Sequence, residues 1–260
     1  MSFSLRFTAD LTFALAARAI GARRGHPLIL QLSTDNILDS ASAPRSANGL
    51  ERGRDSSQSP AAMLAQYHSP IIWITGSEPL EHPEVARFTN TIAASGQHLF
   101  LETSGASLKP RLHEFQPSSR FYFAIRFDGR IPSDGLRNTR EGSFRAGLEA
   151  IRMARLAGFY ICAHLVLQTD TAAGELEELH GEICKLDVDG FVITPGALTP
   201  ELAKQAGRLR RHLLDRRCAL LSTLLDSGPG SAISRKSSER ERPPLPKSQR
   251  DRFGEGAEAG

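Results

Sequence analysis

Cysteine is scarce in this chain: three in 260 residues, at positions 162, 184 and 218. They form no CxxC pair and no zinc-ligand spacing, and three such distant thiols make no disulfide framework. Cys162 falls in an apolar run and Cys184 in a helical segment, so both read as small core residues. Reduced thiols of this kind suit a cytoplasmic compartment. A dominant charge is missing too. The net charge is +3, and the basic residues gather in "RRG", "RLRRHLLDRR" and the C-terminal stretch. That reads as solvated faces rather than a nucleic-acid surface. No run approaches the roughly 18 apolar residues of a transmembrane helix. The opening "MSFSLRFTADLTFALAARAIGARRG" has the look of a secretory leader, but Arg6, Asp10 and Arg18 interrupt it and no clear cleavage site follows. It predicts a helix over 8–22 with Leu11, Leu15 and Ile20 on one side, covering the core. A surface-lying membrane contact is the other reading.

What is present is alternation. Apolar runs at 28–32, 71–75, 99–102, 121–127, 160–166 and 191–194 are separated by segments of helical period. "SPAAMLAQYH" (59–68) opens on Ser59 as N-cap with Pro60 at the first helical position, and "HPEVARFTNTIAASG" repeats the device with His82 and Pro83. The second stops at Gly96, as the helix over 142–157 stops at Gly158. Their inner faces are Val85, Phe88 and Ile92, then Phe144, Leu148, Ile151 and Ala154. Leu176, Leu179 and Ile183 follow on the next helix. "TPELAKQAGRLRRHLLDRRCALLSTLL" predicts one long basic helix opened by Thr199-Pro200, with Leu202, Ala206, Leu209 and Leu213 inward. Near-continuous apolar strands between amphipathic helices mean a parallel sheet covered on both faces, as a partial barrel or a doubly wound sheet. The predicted organisation is a helical lead-in (1–26), a six-unit β/α domain (27–226) and a disordered tail (227–260), too polar to offset its ordering entropy.

Ligands of such folds meet the C-terminal ends of the strands. The residues there are Gly76, Ser77, Glu78 and Pro79, then Glu102, Thr103 and Ser104, then Arg126 and Asp128, His164, and Thr194. Each has a bland reading: Gly-Ser-Glu-Pro can simply start a helix, Asp128-Gly129 is a common turn pair, and His164 reads equally as a core histidine.

The series "TGSEPLEHPEV", "LETSGASL", "FAIRFDG", "EGSFRAGLEAIRMARLAGF" and "DGFVITPG" resembles the radical S-adenosylmethionine (SAM) enzymes. With the "RRGHPLILQL" lead-in, it looks most like their hopanoid-associated branch, the adenosylhopane synthases. The resemblance runs from about Arg23 to Pro200 and implies an α/β fold, a partial (β/α)6 TIM-like barrel. It also implies that Gly76, Ser77, Glu78 and Pro79 contact the SAM amino group, with Thr103, Ser104 and Arg126 completing the cofactor site. In such enzymes a CxxxCxxC loop after the first strand holds a 4Fe–4S cluster. The corresponding positions here lie near Leu38, Ser42 and Arg45, and no cysteine precedes Cys162. Iron–sulfur clusters need thiolates, so no cluster is expected.

The expected function is therefore a degenerate radical-SAM-like protein that binds SAM, another small molecule or a lipid, or that partners a protein such as an active paralogue. The alternative is an enzyme of non-radical acid–base or SAM-dependent chemistry in the same barrel mouth, with Glu78, Glu102, Asp128 and His164 as candidate acid–base groups. A third is a structural product without a ligand. Glu102 and Arg126 are predicted either to pair across the barrel mouth or to face solvent. The expected location is cytoplasmic or peripheral at a membrane, without nucleic acid and without a transmembrane segment.

Overall fold

The computed structural model describes residues 3–20, 27–34, 69–128, 140–169, 173–197 and 199–226. The helix expected at 59–68, the loop carrying Leu38, Ser42 and Arg45, and the tail at 227–260 lie outside the described residues. Six strands form one parallel sheet in chain order: β1 (Ile29–Ser33), β2 (Ile71–Thr75), β3 (His98–Thr103), β4 (Phe121–Phe127), β5 (Tyr160–Leu167) and β6 (Gly190–Pro195). The helices described are α1 (Leu5–Ala19), α2 (Val85–Ala94), α3 (Leu108–Arg111), α4 (Arg140–Leu156), α5 (Ala173–Cys184), α6 (Pro200–Leu213) and α7 (Arg216–Asp226). Strands that each pair with the next in sequence curl into an α/β half-barrel, the partial TIM-like architecture expected from the alternation.

Two cores sandwich the sheet. On the convex face Leu99, Leu101, Phe123 and Ile125 pack against Val85, Phe88 and Ile92 of α2, Ile151 and Ala154 of α4, and Leu176 and Leu179 of α5. On the concave face the alternate residues Ile71, Trp73, Phe100, Tyr122, Ala124, Cys162 and Val192 pack against Phe3, Phe7 and Leu11 at the N-terminus and Cys218, Leu221 and Leu225 of α7. Burial on both sides explains why the strands are apolar at successive positions.

Helix α1 lies beneath the N-terminal ends of the strands. Phe7 sits edge-on to His98, Phe100 and Tyr122, at centroid distances of 5.0, 5.6 and 5.7 Å. Ser4 caps the helix by accepting the Phe7 N–H and shares a 2.8 Å hydrogen bond with the Tyr122 hydroxyl. Asp10 takes His98 Nε2 at 2.9 Å and Arg120 at 3.2 Å. The helix therefore starts three residues before the expected position 8. Its inner face is Phe7, Leu11 and Ala14, while Ile20, expected inward, is 81% exposed. The aromatic anchors Phe3 and Phe7 set the rotation, and they precede the stretch from which the face was inferred.

Two other boundaries differ from expectation. Helix α2 begins at Val85 rather than Pro83, because a 3-10 turn at Pro79–Glu81 comes first and His82 is extended. His82 Nδ1 still accepts the Glu84 N–H at 3.1 Å. The expected long basic helix is two helices. Leu214 is extended (ψ 148°), and Asp215 Oδ1 accepts the N–H groups of Arg217 and Cys218 at 2.9 and 2.8 Å, starting α7 afresh.

That break lets α7 turn back along the free edge of β6. The Phe191 N–H donates to Cys218 Sγ at 3.4 Å and the Ile193 N–H to Ser222 Oγ at 3.1 Å. Arg210 of α6 donates from Nε to the Ile193 carbonyl at 2.8 Å. From the opposite edge, Gln31 of β1 donates to the Leu225 carbonyl at 3.0 Å. Of the two cysteines expected in the core, Cys162 is buried but Cys184 is only half-buried, beside His180 at 3.5 Å; the third, Cys218, is buried as well.

Candidate ligand site at the barrel mouth

The concave face is aromatic low down and charged near the mouth. Trp73, Phe100 and Tyr122 occupy paired register positions on β2, β3 and β4 and stack in series, with centroids 4.9 and 4.7 Å apart and planes within 11°. Burial pushes the Tyr122 phenol up to about 12. Two residues further along β3, on the same face, stands Glu102.

Glu102 is 5% exposed, so its charge depends on its partners. Its Oε2 accepts Trp73 Nε1–H at 2.9 Å and faces His164 Nδ1 at 3.2 Å. Its Oε1 accepts from Arg126 Nη1 at 3.4 Å, so the pair across the mouth is formed. Burial alone would raise the Glu102 pKa, but His164, Trp73 and Arg126 outweigh it and hold the carboxyl down to about 2. Arg126 continues to Asp128, whose exposed Oδ1 accepts from Nε at 3.3 Å. Burial disfavours the Arg126 cation, and Asp128 and Glu102 more than compensate, raising its pKa. His164, paired in register with Arg126, stands edge-on to Trp73 at 5.5 Å. Its other ring nitrogen, Nε2, meets Thr194 Oγ1 on β6 at 2.8 Å. With Nδ1–H directed to Glu102, Nε2 is left to accept the Thr194 hydroxyl.

A second group sits beside this one. Gly76 takes φ +154°, in the region that favours glycine, and opens the turn after β2. Glu78 then reaches the turn after β3: Oε2 accepts the Ser104 N–H at 2.9 Å and the Ser104 hydroxyl at 2.6 Å, while Oε1 accepts the Leu80 N–H at 3.3 Å. A carboxylate offers about four acceptor positions, so Glu78 keeps room for one more donor. Buried Thr103 accepts the Gly105 N–H at 3.0 Å. Gly105 (φ +89°) lies so close to α4 that a Cβ there would come within 2.6 Å of Ala150 Cβ.

The structure thus joins Glu102, Arg126, Asp128 and His164 in one hydrogen-bonded net, and ties Glu78 to Ser104 in a neighbouring one. Thr103 serves its own turn, and Pro79 starts the 3-10 turn. Sequence reasoning missed Trp73 as a partner and left Thr194 without a role. The signal was the two-residue period that puts 73, 100, 102, 126, 164 and 194 on one face.

No protein-family model matches this chain, and no curated protein matches it. Solved structures do. SuiB of Streptococcus suis bound to the precursor peptide SuiA matches 82% of this chain and 47% of its own, at TM-score 0.50 and 13% identity. SuiB bound to S-adenosylmethionine matches 72% of this chain and 45% of its own, at TM-score 0.47 and 12% identity. An archaeal TYW1 matches 65% of this chain and 68% of its own, at TM-score 0.41 and 12% identity. These neighbours are radical SAM enzymes. At such identities the likeness is one of fold alone, the α/β half-barrel, and this chain spans less than half of either SuiB chain. No helix among the described residues is long and apolar enough to cross a membrane.

Proposed function

We propose that this chain is a radical-SAM-like barrel that works by binding rather than by radical chemistry, a pseudoenzyme related to hopanoid biosynthesis proteins. The observation that carries the reading is the placement of its thiols. Cys162 is on β5, Cys184 on α5 and Cys218 on α7, and no cysteine precedes residue 162. Burial drives the Cys162 thiol well above its ordinary pKa and Cys218 up to about 12, so neither is disposed to be a thiolate ligand. A 4Fe–4S cluster does not fit this donor set.

S-adenosylmethionine itself fits better. The open acceptor position of Glu78 suits its ammonium group, Gly76 lets the ligand approach the backbone, and Arg126 suits its carboxylate. The side chain at Ser77 narrows that approach, and Arg126 already serves two carboxylates, so the binding is weak. The peptide named in the SuiB structure makes a peptide or protein partner the next candidate.

The test is calorimetric titration of SAM into protein prepared anaerobically with iron and sulfide, with iron measured on the same sample. Saturable binding without iron is the expected result. Stoichiometric iron with binding overturns the proposal. Neither iron nor SAM binding removes SAM and leaves the peptide or lipid.

A second reading rests on one geometry, the line Glu102–His164–Thr194 at 3.2 and 2.8 Å. A carboxylate that orients an imidazole, whose far nitrogen meets a hydroxyl, can move a proton from that hydroxyl. Hydrolysis of an activated ester such as p-nitrophenyl acetate, lost in both His164→Ala and Thr194→Val, would favour this enzyme reading over binding.

A further inference from the structure

Among the described residues four large apolar side chains are strongly exposed, and three of them belong to one short stretch: Leu5 (86%), Phe13 (71%) and Ile20 (81%). With the exposed Ala9 and Ala16 they recur at steps of four, four, three and four residues, which is one stripe along a helix. Helix α1 is therefore apolar on two opposite sides. Its inner side, Phe7, Leu11 and Ala14, is spent on the barrel floor. Its outer side is held rigidly outward by that packing and by the Asp10 contacts to His98 and Arg120.

Arginines stand on both flanks of the stripe. Arg6 is exposed on α1 itself, next around the helix from the stripe, whereas Arg18 continues the inner series Phe7, Leu11 and Ala14 and lies away from it. Exposed Arg216 and Arg217 open α7 alongside it, Arg217 Nη1 reaching Thr8 Oγ1 at 3.4 Å. The two acids nearby are engaged: Asp10 pairs with Arg120, and Asp215 caps α7. An apolar stripe flanked by exposed arginines is complementary to a surface that is greasy within and anionic at its boundary. We infer that the outer face of α1 docks on an anionic lipid bilayer. Because α1 underlies the N-terminal ends of the strands, docking turns the Glu102–His164 mouth away from the lipid, toward water.

The test uses the full chain in flotation with two vesicle types, phosphatidylcholine alone and phosphatidylcholine mixed with phosphatidylglycerol. Flotation with the mixed vesicles, weakened by high salt, is expected. Phe13→Asp, checked for an unchanged circular dichroism spectrum, should lower the partition coefficient about tenfold or more. The paired variant Arg6→Gln with Arg217→Gln should abolish the preference for mixed vesicles. Leu156→Asp, at an equally exposed site (90%) on α4, should float like the parent. Absence of flotation overturns the inference, as does equal flotation of Phe13→Asp. A dimer in light scattering that Phe13→Asp dissolves, with no flotation, assigns the face to a second copy instead.

Discussion

Glu102→Gln tests the charged layer directly. Glu102 holds three donors, from Trp73, His164 and Arg126, and its carboxyl falls from the ordinary 4.5 to about 2. At 1.36 kcal/mol per decade that lowering corresponds to about 3 kcal/mol of stability at neutral pH. Glutamine keeps one acceptor oxygen for Trp73 or His164, but offers Arg126 no charge and turns an NH2 toward a donor. The expected loss is thus about 2–3 kcal/mol, or roughly 5–10 °C in Tm for a chain of this size. Because the folded-state pKa lies below the unfolded one, this contribution is complete above pH 4.5 and is lost as pH falls through about 2. The gap between parent and variant should stay level from neutral pH down to 4.5 and close below it. Urea titration followed by fluorescence suits the test, since Trp73 is the only tryptophan and lies against Glu102. A gap under about 1 kcal/mol at neutral pH, or one unchanged on acidification past the ordinary pKa of Glu102, would refute the assignment of its low pKa to these partners.

Other consequences can be checked in the same way. Trp73→Phe keeps the stack on Phe100 but removes the Nε1–H, and should cost about 1–2 kcal/mol in urea titration while raising the Glu102 pKa seen by NMR. Ser222→Ala strips the buried Ile193 N–H of its acceptor and should cost about 1–2 kcal/mol, with faster amide exchange at Ile193. Gly190→Ala would put a Cβ 2.1 Å from the Phe3 ring, and should cost about 1–3 kcal/mol and loosen α1 toward proteases. Burial lowers the His98 pKa against the opposing pull of Asp10, and its Nδ1 finds no hydrogen-bond partner. The neutral ring is the folded form, so α1 docking should be strongest above pH 6.5 and weaken as pH falls below it. Equal amide-exchange protection of α1 on both sides of that pH would contradict this.

Much of the barrel was legible because its strands are buried on both faces. Such strands leave unbroken apolar runs, and Gly96 and Gly158 stop α2 and α4 where their periodicity ends. The same burial hid the site's wiring. Trp73 is one of four apolar residues in "IIWIT", and only the pleat reveals that it points at Glu102. The strand ends left Glu102 and Arg126 two solutions, pairing across the mouth or facing solvent, and the structure takes the first. The split between α6 and α7 was not visible: "RLRRHLLDRRCALL" keeps helical period through Leu214, and only Asp215 as a cap marks the join. Likewise α1 looked like a helix with one apolar side, because a helix with two blurs its own period.

Helix α7 has a mechanical meaning for the barrel. The half-barrel's two outer strands never meet. They are laced to one helix by Gln31 on one side and by Cys218 and Ser222 on the other. A closed barrel has a girth fixed by its backbone ladder; here the girth is fixed by side chains, which can change rotamer without breaking a strand pair. The lacing also denies the exposed border of β6 to any foreign strand. The seam therefore works as a buckle, its span set by three side chains, Gln31, Cys218 and Ser222, rather than by a strand ladder.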